Sequence, residues 1–255
     1  MRVQCQPMLL FEKNFDIIRQ RKPCVVEDDL RCQAERMESS KKYLPRLTTL
    51  YLACLEKHDT RSFIAQVMKY YNESSLIRLA WAVCVDTRRA AAQALGFVGS
   101  YQANDTLGRL LKDRDRTVRL IAEGSLKSVW SRDGSDAQRQ ELYAIMRLIA
   151  AQNFGEAVSR ANILLDDYPF YVEARNQRAI ALFALKQFED SIEDSRNVLE
   201  LNPFHFGAAI GMGHAYLQLE NHQSAVECFQ HALEINPNLE SIRKHLEWLS
   251  QSWMR

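Results

Sequence analysis

The chain has 255 residues, with 33 Lys and Arg against 32 Asp and Glu, for a formal net charge of +1. That balance gives no bulk pull toward nucleic acid or an anionic membrane. Nine glycines and six prolines are too few for a loop-rich β fold and favour long helices.

The start, MRVQCQPMLLFEKNFD, lacks the apolar run of a secretory signal, and no later stretch approaches a membrane span. Residues 1–22 have mixed character. EDDLRCQAERMESSKKYL then reads as a helix, with acids at its start and Lys41 and Lys42 near its end, in the sense the helix dipole favours. Residues 1–42 are therefore expected to form a helical segment or cap. The six cysteines, at 5, 24, 32, 54, 84 and 228, form no CxxC pair. Free thiols in a reducing cytoplasm are expected, with Cys54, Cys84 and Cys228 as small core residues.

From residue 47 a pattern of paired apolar helices begins. DTRSFIAQVMKYY (59–71), DTRRAAAQALGFVG (86–99) and TVRLIAEGSLKSVW (117–130) share a central Arg at 61, 88 and 119. Each follows another apolar stretch: LTTLYLACLE, LIRLAWAVC and TLGRLLKD. An Asp ahead of such a helix can cap its open N–H groups, and an Arg can pair with an Asp of the neighbouring unit. The Ala-rich face permits close stacking. These residues, best of all Asp115, Val118 and Arg119 followed by Ala122 and Leu126, resemble the HEAT repeat family in its short form. SRDGSD (131–136) reads as a linker.

Beyond it, Pro169, Pro203 and Pro237 are spaced by 34, and no proline lies between Pro45 and Pro169. QNFGEAV (152–158), KQFEDSI (186–192) and ENHQSAV (220–226) keep the same spacing, as do VLELNPF (198–204) and ALEINPN (232–238). Each unit reads as helix, turn, helix, closed by a proline that cannot continue the helix. The periodicity predicts helices at about 141–152 and 155–168, 172–185 and 188–201, and 206–219 and 222–235, with ends uncertain by about 2–4 residues. NLESIRKHLEWLSQS (238–252) adds an amphipathic helix whose Leu239, Ile242, Leu246 and Leu249 cover the last open face.

This register resembles the tetratricopeptide repeat family over residues 138–237. The third unit fits best, with Met212, Gly213 and Tyr216, then Ala225, Phe229 and Pro237. The second keeps Ala179, Leu182 and Pro203, and the first Leu148, Ala157 and Pro169. Gly213 and Ala225 are expected to face each other where two helices of one unit meet. The two resemblances together imply an all-α superhelical solenoid of antiparallel helix hairpins, HEAT-like over 43–131 and tetratricopeptide-like over 138–237, with a cap at 238–252.

In tetratricopeptide families the first helix of each pair lines a concave groove. The positions that correspond are Tyr143, Met146, Asn176, Gln177, Ile180, Phe183, Ile210, His214 and Leu217. The row is apolar with a few amide and imidazole groups, which suits a peptide or amphipathic helix of another protein. Family members that clamp a carboxylate use paired Asn and Lys or Arg; the matching slots here are mostly uncharged, with Glu173 nearby.

No catalytic constellation is present: no HExxH, no His-Glu pair, no GxSxG, GxxxxGK[ST] or GxGxxG. GMG (211–213) lies within a helix, where packing explains it. No metal, no cofactor and no enzyme activity are expected. RLLKDRDRTVR (109–119) carries five basic residues interleaved with Asp113 and Asp115, so nucleic acid is a disfavoured partner. The reading is a non-catalytic protein-interaction scaffold in the cytoplasm. The alternatives are a nucleic-acid-binding helical repeat protein, and an enzyme akin to the HEAT-like bilin lyases on fold analogy alone.

Overall fold

The computed structural model describes residues 44–253, and the expected N-terminal segment over 1–42 lies outside them. The described residues are all-α, with no strand among them. They divide into two compact units: residues up to Gly99 together with 114–128, and residues 100–113 together with everything from Val129.

The first unit begins with α1 (Arg46–Lys57), α2 (Thr60–Tyr70), α3 (Glu73–Leu79) and α4 (Val85–Val98). Its last part is the start of α6 (Arg116–Arg132). Local chemistry sets the boundaries. Asp59 and Asn72 accept the N–H of Ser62 and Ser75, each at 2.9 Å, and so cap α2 and α3. Leu47, Tyr51, Phe63, Val67, Leu76 and Leu95 are buried, and Tyr51, Phe63 and Phe97 meet edge to face. α4 turns Ala90, Ala91, Ala92 and Ala94 inward, which brings it close to α6. Ser125 donates to the Ala92 carbonyl at 2.9 Å, and a Cβ on Gly96 would stand 2.3 Å from the Ser125 Oγ.

The Asp and Arg of the repeated motif work as a pair, with one substitution of partner. Asp115 accepts the Val118 N–H at 2.9 Å and both Nε and Nη2 of Arg89, at 3.0 and 2.8 Å. The recurring Arg does something else. Arg88 donates to the carbonyl of Val83, and Arg119 to that of Arg114, each five residues back. The repeated position thus staples its own turn, while its neighbour Arg89 bridges the helices. Burial works to raise the Asp115 carboxyl, but the bonds from Arg89 and Val118 outweigh it and hold it below its usual range. Asp115→Asn should cost about 1–2 kcal/mol, because the lost bonds are charge-assisted but partly solvated. Melting curves of the two proteins at neutral pH check this, and coincident curves would remove the pair from the list of stabilising contacts.

The second unit holds a 3-10 turn at Tyr101–Ala103, then α5 (Asn104–Leu110), the end of α6, and seven further helices. These are α7 (Asp136–Ala150), α8 (Phe154–Asp167), α9 (Val172–Ala184), α10 (Phe188–Leu201), α11 (Phe206–Gln218), α12 (His222–Ile235) and α13 (Glu240–Trp253). The six helices α7 to α12 are the three pairs expected from the period, and α13 is the expected cap. α7 starts five residues earlier than expected because Ser135 and Gln138 close a reciprocal capping box. Each pair turns on a left-handed residue, Gln152, Lys186 or Glu220, with φ of 59°, 64° and 57°. These three are themselves 34 apart. Arg160 grips Glu141 across α7 and α8, and Arg178 grips Asp194 across α9 and α10, each by two bonds of 2.6–2.7 Å.

One expectation changes. SRDGSD is not an open linker: α6 runs through Arg132, Tyr171 donates to the Asp133 carbonyl at 3.0 Å, and Gly134 takes a φ of +83° to make the turn. The two units divide within α6, between Ser128 and Val129, and α5 groups with the second unit. Asn104 donates to Asn202 at 3.0 Å, and the Phe204 ring lies on Gly108 so closely that a Cβ there would be 2.3 Å from it. On α11, Gly213 faces the ring of Phe229, to which a Cβ would come within 2.6 Å.

Candidate partner-binding surface

α9 touches both α7 and α11, so the first helices of the three pairs share a face. One register slot on that face is filled by Met146, Ile180, His214 and Trp248, each 34 residues from the next. The face has two parts with different chemistry.

At the Glu173 end the polar groups are already engaged. Asn176 and Gln177 are buried, and both donate to Glu173 Oε1, at 3.1 and 2.7 Å. His205 Nδ1 accepts the Ala208 N–H at 3.0 Å, which leaves its Nε2 to face Glu173 Oε2 at 3.4 Å. Trp130 stacks on the His205 ring with centroids 4.3 Å apart and donates its Nε1–H to Asn104 at 2.7 Å. Burial works to raise the Glu173 carboxyl, but the bonds from His205, Gln177 and Asn176 outweigh it and hold it below its usual range. Asn176 and Gln177, expected to bond a partner's backbone, each spend an amide N–H inside the fold. Their amides satisfy a buried carboxylate.

Toward α13 the face is open and apolar. Ile180 is 44% exposed and Trp248 62% exposed. Phe183 is half-buried, edge-on to Phe188 at 5.5 Å. Ile210 and Leu217 are partly buried against the cluster around Phe229. His214 lies edge-on to Phe229 at 5.1 Å and 5.7 Å from the His245 ring, which in turn meets Trp248 at 6.1 Å. Burial first, and the neighbouring His245 second, push the His214 imidazole below its ordinary pKa, which favours its neutral form at neutral pH. At the other end Tyr143 is half-buried, its hydroxyl donating to the Ser131 carbonyl at 3.3 Å, and Met146 packs on the cluster containing Leu142 and Ile145. Of the nine expected residues, the structure leaves Ile180, Phe183, Ile210, His214 and Leu217 on one apolar stretch.

His245 and Trp248 extend that stretch and were not among the expected residues. The signal was available. The 34-residue register runs on from Ile180 and His214 to Trp248, and from Gln177 and Gly211 to His245. Reading α13 only as a lid for the last pair concealed it. Among the described residues no helix is long and apolar enough to cross a membrane, and no cluster of three or more His, Cys, Asp or Glu is placed to hold a metal ion.

Residues 208–239, which span most of α11 and all of α12, match the model of the tetratricopeptide repeat family. No curated protein matches the sequence. Several solved structures resemble the chain. The first tetratricopeptide repeat domain of Spaghetti (RPAP3), bound to the HSP90 peptide SRMEEVD, is 22% identical with a TM-score of 0.45, over 48% of this chain and 97% of that one. The first such domain of human RPAP3 is 22% identical with a TM-score of 0.44, over 46% and 92%. YrrB, described as a tetratricopeptide repeat protein with an unusual peptide-binding site, is 18% identical with a TM-score of 0.42, over 78% and 97%.

Proposed function

We propose that the chain is a non-catalytic protein-interaction scaffold that binds an apolar or amphipathic segment of another protein. The single observation behind this reading is the row formed by exposed Ile180, half-buried His214 and exposed Trp248, one register slot carried through α9, α11 and α13. Large apolar groups left in solvent at matching positions of a repeat array are the usual sign of a partner surface. The row carries no charge cluster, so binding through it is expected to depend only weakly on salt. The paired helices of the first unit, with their Asp115–Arg89 bridge and the stapling Arg88 and Arg119, support reading that unit as HEAT-like. We place the protein in the cytoplasm because the sequence pattern of its cysteines, with no CxxC pair, suits free thiols.

The test is affinity capture from the native host followed by mass spectrometry, with wild type and the triple variant Ile180→Ala, His214→Ala, Trp248→Ala side by side. The variant is expected to lose the specific partners, by about tenfold or more in yield, while keeping its helical circular dichroism, since aromatic anchors dominate such contacts. Retention of the same partners by the triple variant, with loss on changing Arg114, Arg116 and Arg119, would move the binding surface to the first unit. A shift of labelled nucleic acid in a mobility assay, or a bound pigment in the absorbance spectrum, would replace this reading with one of its alternatives.

A further inference from the structure

α10 and α11 enclose a second feature that shares no residue with the row above. It is an open cleft of about 530 Å³, floored by Ile192, Tyr216 and Leu219 and rimmed by Glu189, Glu193 and Glu200. Its size falls in the range of sites that accept a ligand or a few side chains. The three carboxylates lie on one side of α10 and are exposed to solvent. A single guanidinium, Arg196, lines the cleft with them, and it donates to the Tyr216 hydroxyl at 3.4 Å. The cleft therefore carries an excess of negative charge over an apolar floor, on a chain whose total charge is +1.

The other repeats supply an internal control. In the 34-residue register, Glu189, Glu193 and Glu200 correspond to Gly155, Ser159 and Asp166 in the first pair, and to Gln223, Glu227 and Glu234 in the third. Two floor positions stay apolar: Ile192 matches Val158 and Val226, and Leu219 matches Leu185. Packing of the pair thus does not demand three carboxylates, because its neighbours pack without them. Nor are these acids spent inside the fold. The internal role on α10 belongs to Asp194, which is buried and held by Arg175 and Arg178.

We propose that this cleft docks a basic amphipathic segment of a partner protein, with an apolar side chain over Ile192 and Leu219 and Lys or Arg side chains over Glu189, Glu193 and Glu200. Charge complementarity selects this occupant. An acidic or phosphate-bearing partner would meet like charge at the rim, and a purely apolar one would leave the carboxylates unpaired.

The probe is a fluorescein-labelled synthetic helix of about 14 residues, with Leu at i, i+3, i+4 and i+7 and Lys elsewhere, compared with a twin carrying Glu in place of Lys. Anisotropy titrations use the full chain. The Lys peptide is expected to bind and the Glu peptide not to. The variant Glu189→Gln, Glu193→Gln, Glu200→Gln should weaken the Lys peptide by about tenfold or more, as should raising salt from about 0.05 M to about 0.3 M. Glu193→Lys alone should act in the same direction. These side chains are exposed, and a melting curve matching wild type verifies that the variants fold. The proposal is overturned by no binding of the Lys peptide, by equal binding of the Glu peptide, or by undiminished binding to the triple Gln variant. It is equally overturned if the Ile180, His214 and Trp248 variant, with the cleft intact, loses the Lys peptide, because the contact would then be on the inner row.

Discussion

Replacing Gly213 by valine should destabilise the second unit by about 3 kcal/mol, whereas Gly211→Ala, two residues away on the same helix, should stabilise it by about 0.5–1 kcal/mol. The contrast follows from what each new Cβ would meet. On Gly213 it would come within 2.6 Å of the Phe229 ring, and Phe229 is fully buried among Ala225, Ile242 and Leu249. A ring so enclosed cannot retreat without lifting α12 away from α11. On Gly211 the nearest atom is the Ser195 Oγ at 3.9 Å, an ordinary contact, so the gain in helix propensity is not opposed. For a chain of this length each kcal/mol moves a melting temperature by about 2–4 °C. Because stacked repeats can melt in parts, amide exchange over 206–250 should be read alongside the thermal curve. Equal melting of wild type and Gly213→Val would mean that the two helices do not approach as described.

The same pair of helices shows what a sequence carries and what it withholds. Local rules that repeat are legible: prolines two residues past α8, α10 and α12, small residues at the crossings, an apolar stripe on α13. Those rules placed the six paired helices, with ends within about two residues for all but α7. The closure of the Phe229 ring over Gly213 was not legible, because small residues at 213 and 225 are compatible with several rotations of one helix on the other. Left-handed residues at 152, 186 and 220 were hidden because Gln, Lys and Glu stand there instead of glycine. Least legible were single contacts between distant segments. Asn104 and Asn202 are 98 residues apart, and nothing periodic links them. That contact, with Trp130 on His205, draws α5 into the second unit and closes the Glu173 end of the candidate face. A row read from register alone therefore included Asn176 and Gln177, whose amides are engaged within the fold, and stopped short of His245 and Trp248.

The closed end gives the second large effect. Glu173→Gln should lower stability by about 2–3 kcal/mol although the side chains are nearly the same size. The site is built for an acceptor on both sides. Glu173, 8% exposed, receives Asn176 and Gln177 on Oε1 and the His205 ring on Oε2. An amide presents one oxygen and one NH2. With the NH2 toward Asn176 and Gln177, three donors converge; with it toward His205, it opposes the Nε2 proton. Either orientation leaves donors at these buried positions short of an acceptor. The pH dependence follows from linkage. Burial disfavours the Glu173 carboxylate, yet its bonds hold the folded pKa below that of the unfolded chain, about 4.3. A depressed carboxyl contributes stability that is fully present above the unfolded value and is lost as pH falls through the folded one. The gap between wild type and Glu173→Gln should therefore be constant from about pH 7 to about pH 5 and shrink below about pH 4.3, as the unfolded chain takes up its proton first. Thermal melts of both proteins across that range measure it. Parallel curves down to the acid transition would show that Glu173 is not held as a carboxylate by His205, Asn176 and Gln177, and with that the closed end of the candidate face would lose its physical basis.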